Sequence, residues 1–121
     1  MKYFLINTLF SLLVMSYFTG CSKTVDDNIL LAAHKAIEKG AVLIDVRTRE
    51  EYKDHHIIGA INIPVQELVK TLARVPQNKV LVVYCRSGSR SSVAADILSK
   101  HGYEVYDVAT QSEYNRKIKE R

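Results

Sequence analysis

The sequence predicts an α/β domain built on a central parallel sheet of about five strands with helices on both faces. Short apolar runs of strand length alternate along the chain with stretches whose apolar residues recur at helical spacing. The connections between them are short, which favours parallel βα units. The run Val80–Tyr84 shows no polar alternation, as expected of a central strand covered on both faces.

The first predicted element is a helix whose apolar residues share one face: Ile29, Leu30, Ala33 and Ile37. Asp27 or Asn28 is predicted to cap it, and Gly40 to end it. A buried strand at 42–44 follows and ends at the polar run 45–47. A short charged helix is then predicted around 48–53.

A second short strand is predicted at 60–63, followed by Pro64, a residue that suits the first turn of a helix. That helix would end before Pro76. Its predicted apolar stripe is Val65, Leu68, Val69 and Leu72.

After the strand at 80–84, a helix is predicted at 91–101, with Gly102 among its stop signals. Its predicted inward residues are Val93, Ala94, Ile97 and Leu98. A last strand at 104–108 precedes a weakly patterned terminal helix.

The polar loop after the run 80–84 contains the candidate catalytic residue. A strand would deliver Cys85 into the N-terminus of a helix, where unpaired N–H groups and the helix dipole favour a thiolate and attract an anion. In a parallel sheet, ligands bind beyond the carboxyl ends of the strands, and Cys85 lies at such an end. The predicted nucleophile is Cys85, and the predicted substrate-binding residues are Arg86, Ser87, Gly88, Ser89 and Arg90.

A cysteine can also be an inert core residue, since free cysteine is among the most buried residue types. The neighbours of Cys85 argue against that interpretation, because the loop is polar, contains Gly88 and carries two arginines. A nucleophilic cysteine that acts on a small anion explains all of them.

The N-terminus is predicted to be an export signal, with Lys2 before an apolar stretch and small residues at its end. The ending Thr19-Gly20-Cys21 resembles the lipobox of bacterial lipoproteins, which implies lipidation of Cys21. The prediction is a signal peptide at 1–20, a lipid-anchored tether at 21–27 and a domain at 28–121. Ser22 favours the periplasmic face of the outer membrane over the inner. An uncleaved anchor and a soluble periplasmic protein are the alternatives.

A lipid on Cys21 would leave Cys85 without an internal disulfide partner, so Cys85 would stay a free thiol in an oxidising compartment. The net charge of +4 includes a basic tail at 115–121. No aromatic stacking platform accompanies that tail, so it is interpreted as a solvated helix face, and nucleic acid is not an expected partner. The adjacent His55 and His56 do not predict a metal site, because no third ligand is evident.

Three stretches of this chain resemble the single-domain rhodanese family of sulfurtransferases, and in particular its small exported members. The loop fits Cys-x-x-Gly-x-Arg. The stretch 56–64 resembles His-Ile-Pro-Gly-Ala-x-Asn-Ile-Pro, with Ile58 where proline is usual, and 43–47 with 50–52 matches a third motif. The resemblance runs from about Asn28 to Val108.

The resemblance implies a sulfurtransferase that needs no cofactor. The Cys85 thiolate would take the outer sulfur of thiosulfate, and a thiol, possibly that of a protein, or cyanide would then remove it. Arg86 would face solvent and receive the anionic donor. Arg90 would either contact the donor or pair with Asp45 to support the loop. His56 is expected to pack and hydrogen-bond.

Two alternatives remain open at this point, a cysteine phosphatase or arsenate reductase and a non-catalytic rhodanese-like binding module. The phosphatases have five residues between nucleophile and arginine, whereas four separate Cys85 from Arg90. The binding modules often lack the cysteine that this chain retains. One departure concerns the substrate mouth: Ala109-Thr110 and Tyr114 stand where many family members have Gly-Gly and tryptophan.

Overall fold

The computed structural model describes residues 23–118, which form one parallel sheet with helices on both faces. The described strands lie in the order β2-β1-β3-β4 and are all parallel, which confirms the predicted α/β class with four strands here. The strands are β1 (Val42–Asp45), β2 (Ile61–Asn62), β3 (Leu81–Cys85) and β4 (Val105–Thr110). The helices are α1 (Asp27–Glu38), α2 (Arg49–Asp54), α3 (Ser89–Lys100) and α4 (Gln111–Tyr114).

The central strand β3 is buried over its whole length, as its unbroken apolar sequence predicts. Alternate side chains of β3 enter the two core layers. Val82 and Tyr84 pack in the layer that includes Leu30 of α1, and Val83 and Cys85 pack in the layer of α3. Cys85 therefore lies at the carboxyl end of the best-buried strand, between two flanking strands.

The prediction of a helix after Pro64 is wrong. The chain forms two short 3₁₀ turns instead, Val65–Glu67 and Leu72–Arg74, and Val69 is 60% exposed. The Thr71 hydroxyl donates to the carbonyl of Glu67 at 2.8 Å. A side chain that bonds back to the backbone in this way offers the chain an alternative to a continuous helix.

Two finer predictions also change. Asp26, not Asp27 or Asn28, caps α1, because its side chain accepts the backbone N–H of Asn28 at 2.8 Å. Val93 of α3 is 54% exposed although it was predicted to point inward. Ser91 is buried instead, and it shares the buried face of α3 with Ala94 and Leu98.

The predicted signal peptide and Cys21 lie outside the described residues. Of the predicted tether at 21–27, residues 23–27 are described: Val25 is buried in the core layer of α1, and Asp27 is the first residue of that helix. Within residues 23–118, no helix has the length and apolar character needed to cross a bilayer.

A buried ion pair at the carboxyl end of β1 joins this strand to β3 and to the segment after α2. Asp45 is fully buried and accepts hydrogen bonds from the Arg47 guanidinium at 2.7 and 3.0 Å. Asp45 also accepts from the Tyr84 hydroxyl at 2.9 Å, and that hydroxyl accepts from the N–H of Ile57 at 3.0 Å. Arg47 in turn donates to the carbonyl of His55 at 2.6 Å. The network fixes the segment that follows α2.

We expect Asp45→Asn to lower the free energy of unfolding by about 3–5 kcal/mol, because it leaves the buried Arg47 charge without its carboxylate. Asp54→Asn is the matched control, since Asp54 is exposed and within residues 23–118 pairs with His55 alone. Its effect should stay within about 0.5 kcal/mol. Urea unfolding of both variants measures the difference. Equal small losses would contradict the role given to Asp45.

Candidate active site

The sulfur of Cys85 caps the N-terminus of α3. The N-cap residue Gly88 has no side chain to accept a hydrogen bond, and Cys85 Sγ takes that place. Sγ accepts the N–H of Gly88 at 3.0 Å and the N–H of Ser91 at 3.3 Å. Cys85 is only 2% exposed. The sulfur therefore lies where the helix presents its unpaired donors and the positive end of its dipole.

Two further donors at the same helix end remain for a ligand. The first four N–H groups of a helix have no partner within it, and here they belong to Gly88, Ser89, Arg90 and Ser91. Gly88 and Ser91 donate to Sγ. Within residues 23–118, the backbone N–H groups of Ser89 and Arg90 have no acceptor.

Buried Ser91 braces the loop from inside. Its Oγ lies 3.5 Å from Cys85 Sγ and donates to the carbonyl of Gly88 at 3.2 Å. That bond turns the Gly88 carbonyl away from the sulfur while the Gly88 N–H points toward it. Sequence analysis missed this role, and the only signal was the position of Ser91 in the first turn of the helix.

Position 88 requires glycine for two reasons, its backbone conformation and the lack of room for a side chain. Its φ is +97°, which side chains other than glycine rarely adopt. A Cβ atom at this position would lie 2.9 Å from Cβ of Lys23 and 3.1 Å from Cβ of Ala109. The loop is thus closely covered from two sides.

The two loop arginines have different environments. Arg86 is exposed, as predicted, and within residues 23–118 its guanidinium has no ion-pair partner. Arg90 donates to both carboxylate oxygens of Glu51 in α2, at 2.6 and 3.1 Å. The predicted pairing of Arg90 with Asp45 is wrong, because Arg47 occupies the Asp45 carboxylate.

Glu51 is therefore the residue that supports the loop, and the sequence reasoning missed it. Its carboxylate also closes a capping box with Thr48 at the start of α2. The hydrogen bond from Arg90 lowers the pKa of Glu51 to about 2. The pKa of Arg90 is raised, first by Glu51 and further by the charge of Cys85. The spacing Thr48-x-x-Glu51 was visible in the sequence, but it indicates only a helix start.

His56 takes the packing role predicted for it. The His56 ring stacks on Tyr52 with centroids 3.7 Å apart, and its Nδ1 lies 2.7 Å from the carbonyl of Tyr52. His55 is exposed. No cluster of three or more metal-ligating side chains occurs in the described part of the chain, and these histidines belong to none.

The end of β4 lies against the loop, since a Cβ atom at Gly88 would lie 3.1 Å from Cβ of Ala109. Ala109 lies within β4, where the pairing with β3 shifts register, and has φ +59°, a left-handed conformation that residues with a side chain rarely adopt. The Asp107 carboxylate accepts the N–H of Ala109 at 2.9 Å and so stabilises this irregularity of the strand. The Tyr114 ring packs against His34, with ring centroids 4.5 Å apart.

Comparison with known proteins agrees with this geometry. The rhodanese-like domain family matches residues 31–116. The thiosulfate sulfurtransferase PspE of Escherichia coli is 47% identical over 62 residues, which cover 50% of this chain and 60% of that protein. A putative mitochondrial thiosulfate sulfurtransferase of Schizosaccharomyces pombe is 38% identical over 99 residues, covering 69% of this chain and 70% of that protein.

Solved structures give the same result. A rhodanese from E. coli, solved with anions, superimposes with a TM-score of 0.54 at 34% identity. That alignment covers 64% of this chain and 95% of the other. The chain spans less than two thirds of the first curated relative's length, so the match describes the shared domain.

The Glu51–Arg90 pair predicts a specific coupling in stability. Glu51→Gln and Arg90→Gln should be non-additive by about 0.5–1 kcal/mol, because either change removes the same contact. Glutamine at 51 can still accept from Thr48, so the capping box is retained. The exposed pair Arg49–Glu67 is the matched control, and its coupling should be smaller. A double-mutant cycle of urea unfolding measures both, and additive losses at 51 and 90 would contradict the pairing.

The same pair predicts a pH dependence. The folded-state pKa of Glu51, about 2, lies below the ordinary value of 4.5, so its stabilisation is complete above pH 4.5 and is lost as the pH falls toward 2. Stability curves between these pH values should be flatter for Glu51→Gln than for the wild type. Superimposable curves would show that Arg90 does not hold the Glu51 carboxylate.

Proposed function

Because the chain belongs to the rhodanese-like domain family, we propose that it is a sulfurtransferase that carries sulfane sulfur as a persulfide on Cys85. One observation carries the proposal: Sγ lies at the N-terminus of α3 and accepts two of its N–H groups, while the other two N–H groups of that helix start have no acceptor within residues 23–118. The proposed donor is thiosulfate or a related small anion. The proposed acceptor is a thiol, with cyanide as its substitute in an assay.

The reaction consists of two displacements at sulfur. The Cys85 thiolate attacks the outer sulfur of thiosulfate, a bond forms between the two sulfur atoms, and the bond to the sulfonate sulfur breaks. Sulfite leaves with that electron pair, and Cys85 retains a persulfide anion. An acceptor thiolate or cyanide then attacks the outer sulfur and restores the thiolate. Charge balances in both steps, and no proton acceptor is needed.

The residues of the loop stabilise the intermediate. The persulfide places its negative charge on the outer sulfur, and the N–H groups of Ser89 and Arg90 would donate hydrogen bonds to that sulfur. Gly88 and Ser91 keep the inner sulfur fixed. Arg86, exposed at the mouth, supplies attraction for the dianionic donor.

Two features of the loop argue against the alternative that this protein is a cysteine phosphatase. Four residues separate Cys85 from Arg90, and Arg90 is engaged by Glu51 through both guanidinium ends, so it is not directed at the centre of the loop. The retained cysteine with both inward N–H groups also disfavours a purely binding module.

We expect the purified full-length protein to release sulfite from thiosulfate in the presence of cyanide, and Cys85→Ser to abolish that turnover because a hydroxyl forms no persulfide. Cys21→Ala is the matched control and should keep the wild-type rate. The measurement is the rate of sulfite release by the wild type, Cys85→Ser and Cys21→Ala. Turnover that persists in Cys85→Ser would exclude Cys85 as nucleophile.

Arg86→Ala should raise the KM for thiosulfate about fivefold and leave kcat nearly unchanged. An exposed cation contributes about 1 kcal/mol of attraction at contact distance, and it does so equally before and during reaction. Lys39→Ala, at the opposite end of β1, is the control. A fall in kcat without a change in KM would assign Arg86 to the transition state instead.

We further propose that the protein is exported and anchored through a lipid on Cys21, at the periplasmic face of the outer membrane. The support is the small-small-Cys ending after an apolar stretch with a positive start. Two or three acyl chains anchor a protein stably, whereas one does so only marginally.

Metabolic palmitate labelling with membrane fractionation tests the anchor. Wild type should carry label and sediment with membranes, whereas Cys21→Ala should lose both properties. Cys85→Ser is the control and should keep them. Label that survives Cys21→Ala, or a wholly soluble wild type, would refute the anchor and leave the sulfurtransferase proposal standing.

A further inference from the structure

The described N-terminal segment packs directly on the active-site loop. The N–H of Lys23 donates to the carbonyl of Ser87 at 3.2 Å. The Lys23 ammonium pairs with Asp107 of β4 at 3.3 Å, and Lys23 Cβ lies against Gly88. The chain therefore reaches the domain at the same end of the sheet as Cys85.

The next residues hold this segment in place. The N–H of Val25 donates to the Glu113 carboxylate at 2.9 Å, and Arg116 donates to the carbonyl of Val25 at 2.6 Å. Arg116 also pairs with Asp27 at 2.6 Å. With the Val25 side chain buried, residues 23–25 form a strap across the active-site end of the domain.

The length of chain before the strap limits where an anchor can be. Cys21 lies two positions before Lys23, and two extended residues span at most about 7 Å. The tether predicted at 21–27 is therefore shortened to the step from Cys21 to Lys23. A lipid attached at Cys21 would therefore be at most about 7 Å of chain away from Lys23, which is hydrogen-bonded to Ser87 of the loop.

We propose that the anchored protein is oriented, with its active-site loop facing the membrane surface and the amino ends of its strands facing away. The inference rests on the lipid anchor proposed above. The five residues of β3 alone separate the two ends by about 16 Å. A sulfur acceptor would then reach Cys85 at the membrane surface.

The charges at this end are compatible with anionic headgroups. Arg86 is exposed there and has no ion-pair partner within residues 23–118, and a basic residue near such a surface contributes about 1 kcal/mol of attraction. The carboxylates of Asp107 and Glu113 at the same end are paired with Lys23 and Arg116. Their repulsion of the membrane is thereby reduced.

Quenching by a nitroxide lipid measures the orientation. Full-length Cys85→Ser, purified with its lipid, receives a fluorescent label at Arg86→Cys or at Asn78→Cys, on the opposite end. Vesicles of phosphatidylethanolamine and phosphatidylglycerol carry the nitroxide on the headgroup. The label at 86 should be quenched several-fold more than the label at 78. Ser112→Cys and Lys39→Cys give a second pair away from the loop, with the same expected order.

A flexible insert is the matched control. About eight Gly and Ser residues placed between Ser22 and Lys23 add about 15 Å of reach and should reduce the difference within each pair. Equal or reversed quenching in protein whose intact mass includes the lipid would overturn the orientation and leave the anchor intact. An intact mass without the lipid would overturn the anchor and the orientation with it.

Discussion

The candidate active site depends on the need of one helix for an acceptor at its N-terminus. Gly88 and Ser91 at the start of α3 are buried against the end of β3, and the N-cap residue Gly88 has no side chain that could accept their N–H groups. Cys85 Sγ meets that need. The contacts that cap the helix would also stabilise negative charge on the sulfur, so the proposed nucleophilicity and the stability of the helix start depend on the same contacts.

The loop keeps its shape because neighbouring elements brace it from several directions. Arg90 ties the first turn of α3 to Glu51 of α2. Lys23 and Ala109 of β4 cover Gly88. Beneath the loop, the buried Asp45 network connects β1, Tyr84 of β3 and the segment after α2. A preorganised set of donors lowers the energy of a charged intermediate without the cost of rearrangement.

The sequence predicted the parts of the site that local pattern determines. An unbroken apolar strand followed by a glycine-containing polar loop and a helix placed Cys85 and exposed Arg86 correctly. The partner of Arg90 was mispredicted because 39 residues separate it from Glu51, and nothing local distinguishes Glu51 from Asp45 as an acceptor. The docking of Lys23 on Ser87, and the 3₁₀ turns after Pro64, likewise depend on tertiary contacts that periodicity does not encode.

The mass of the intact protein after treatment with thiosulfate tests the central claim most directly, because it reports the persulfide itself. Wild type should gain one sulfur atom, and cyanide should remove it. Cys85→Ser should gain nothing under the same conditions. An unchanged mass in wild type, or an equal gain in Cys85→Ser, would contradict the account of Cys85 as the sulfur carrier.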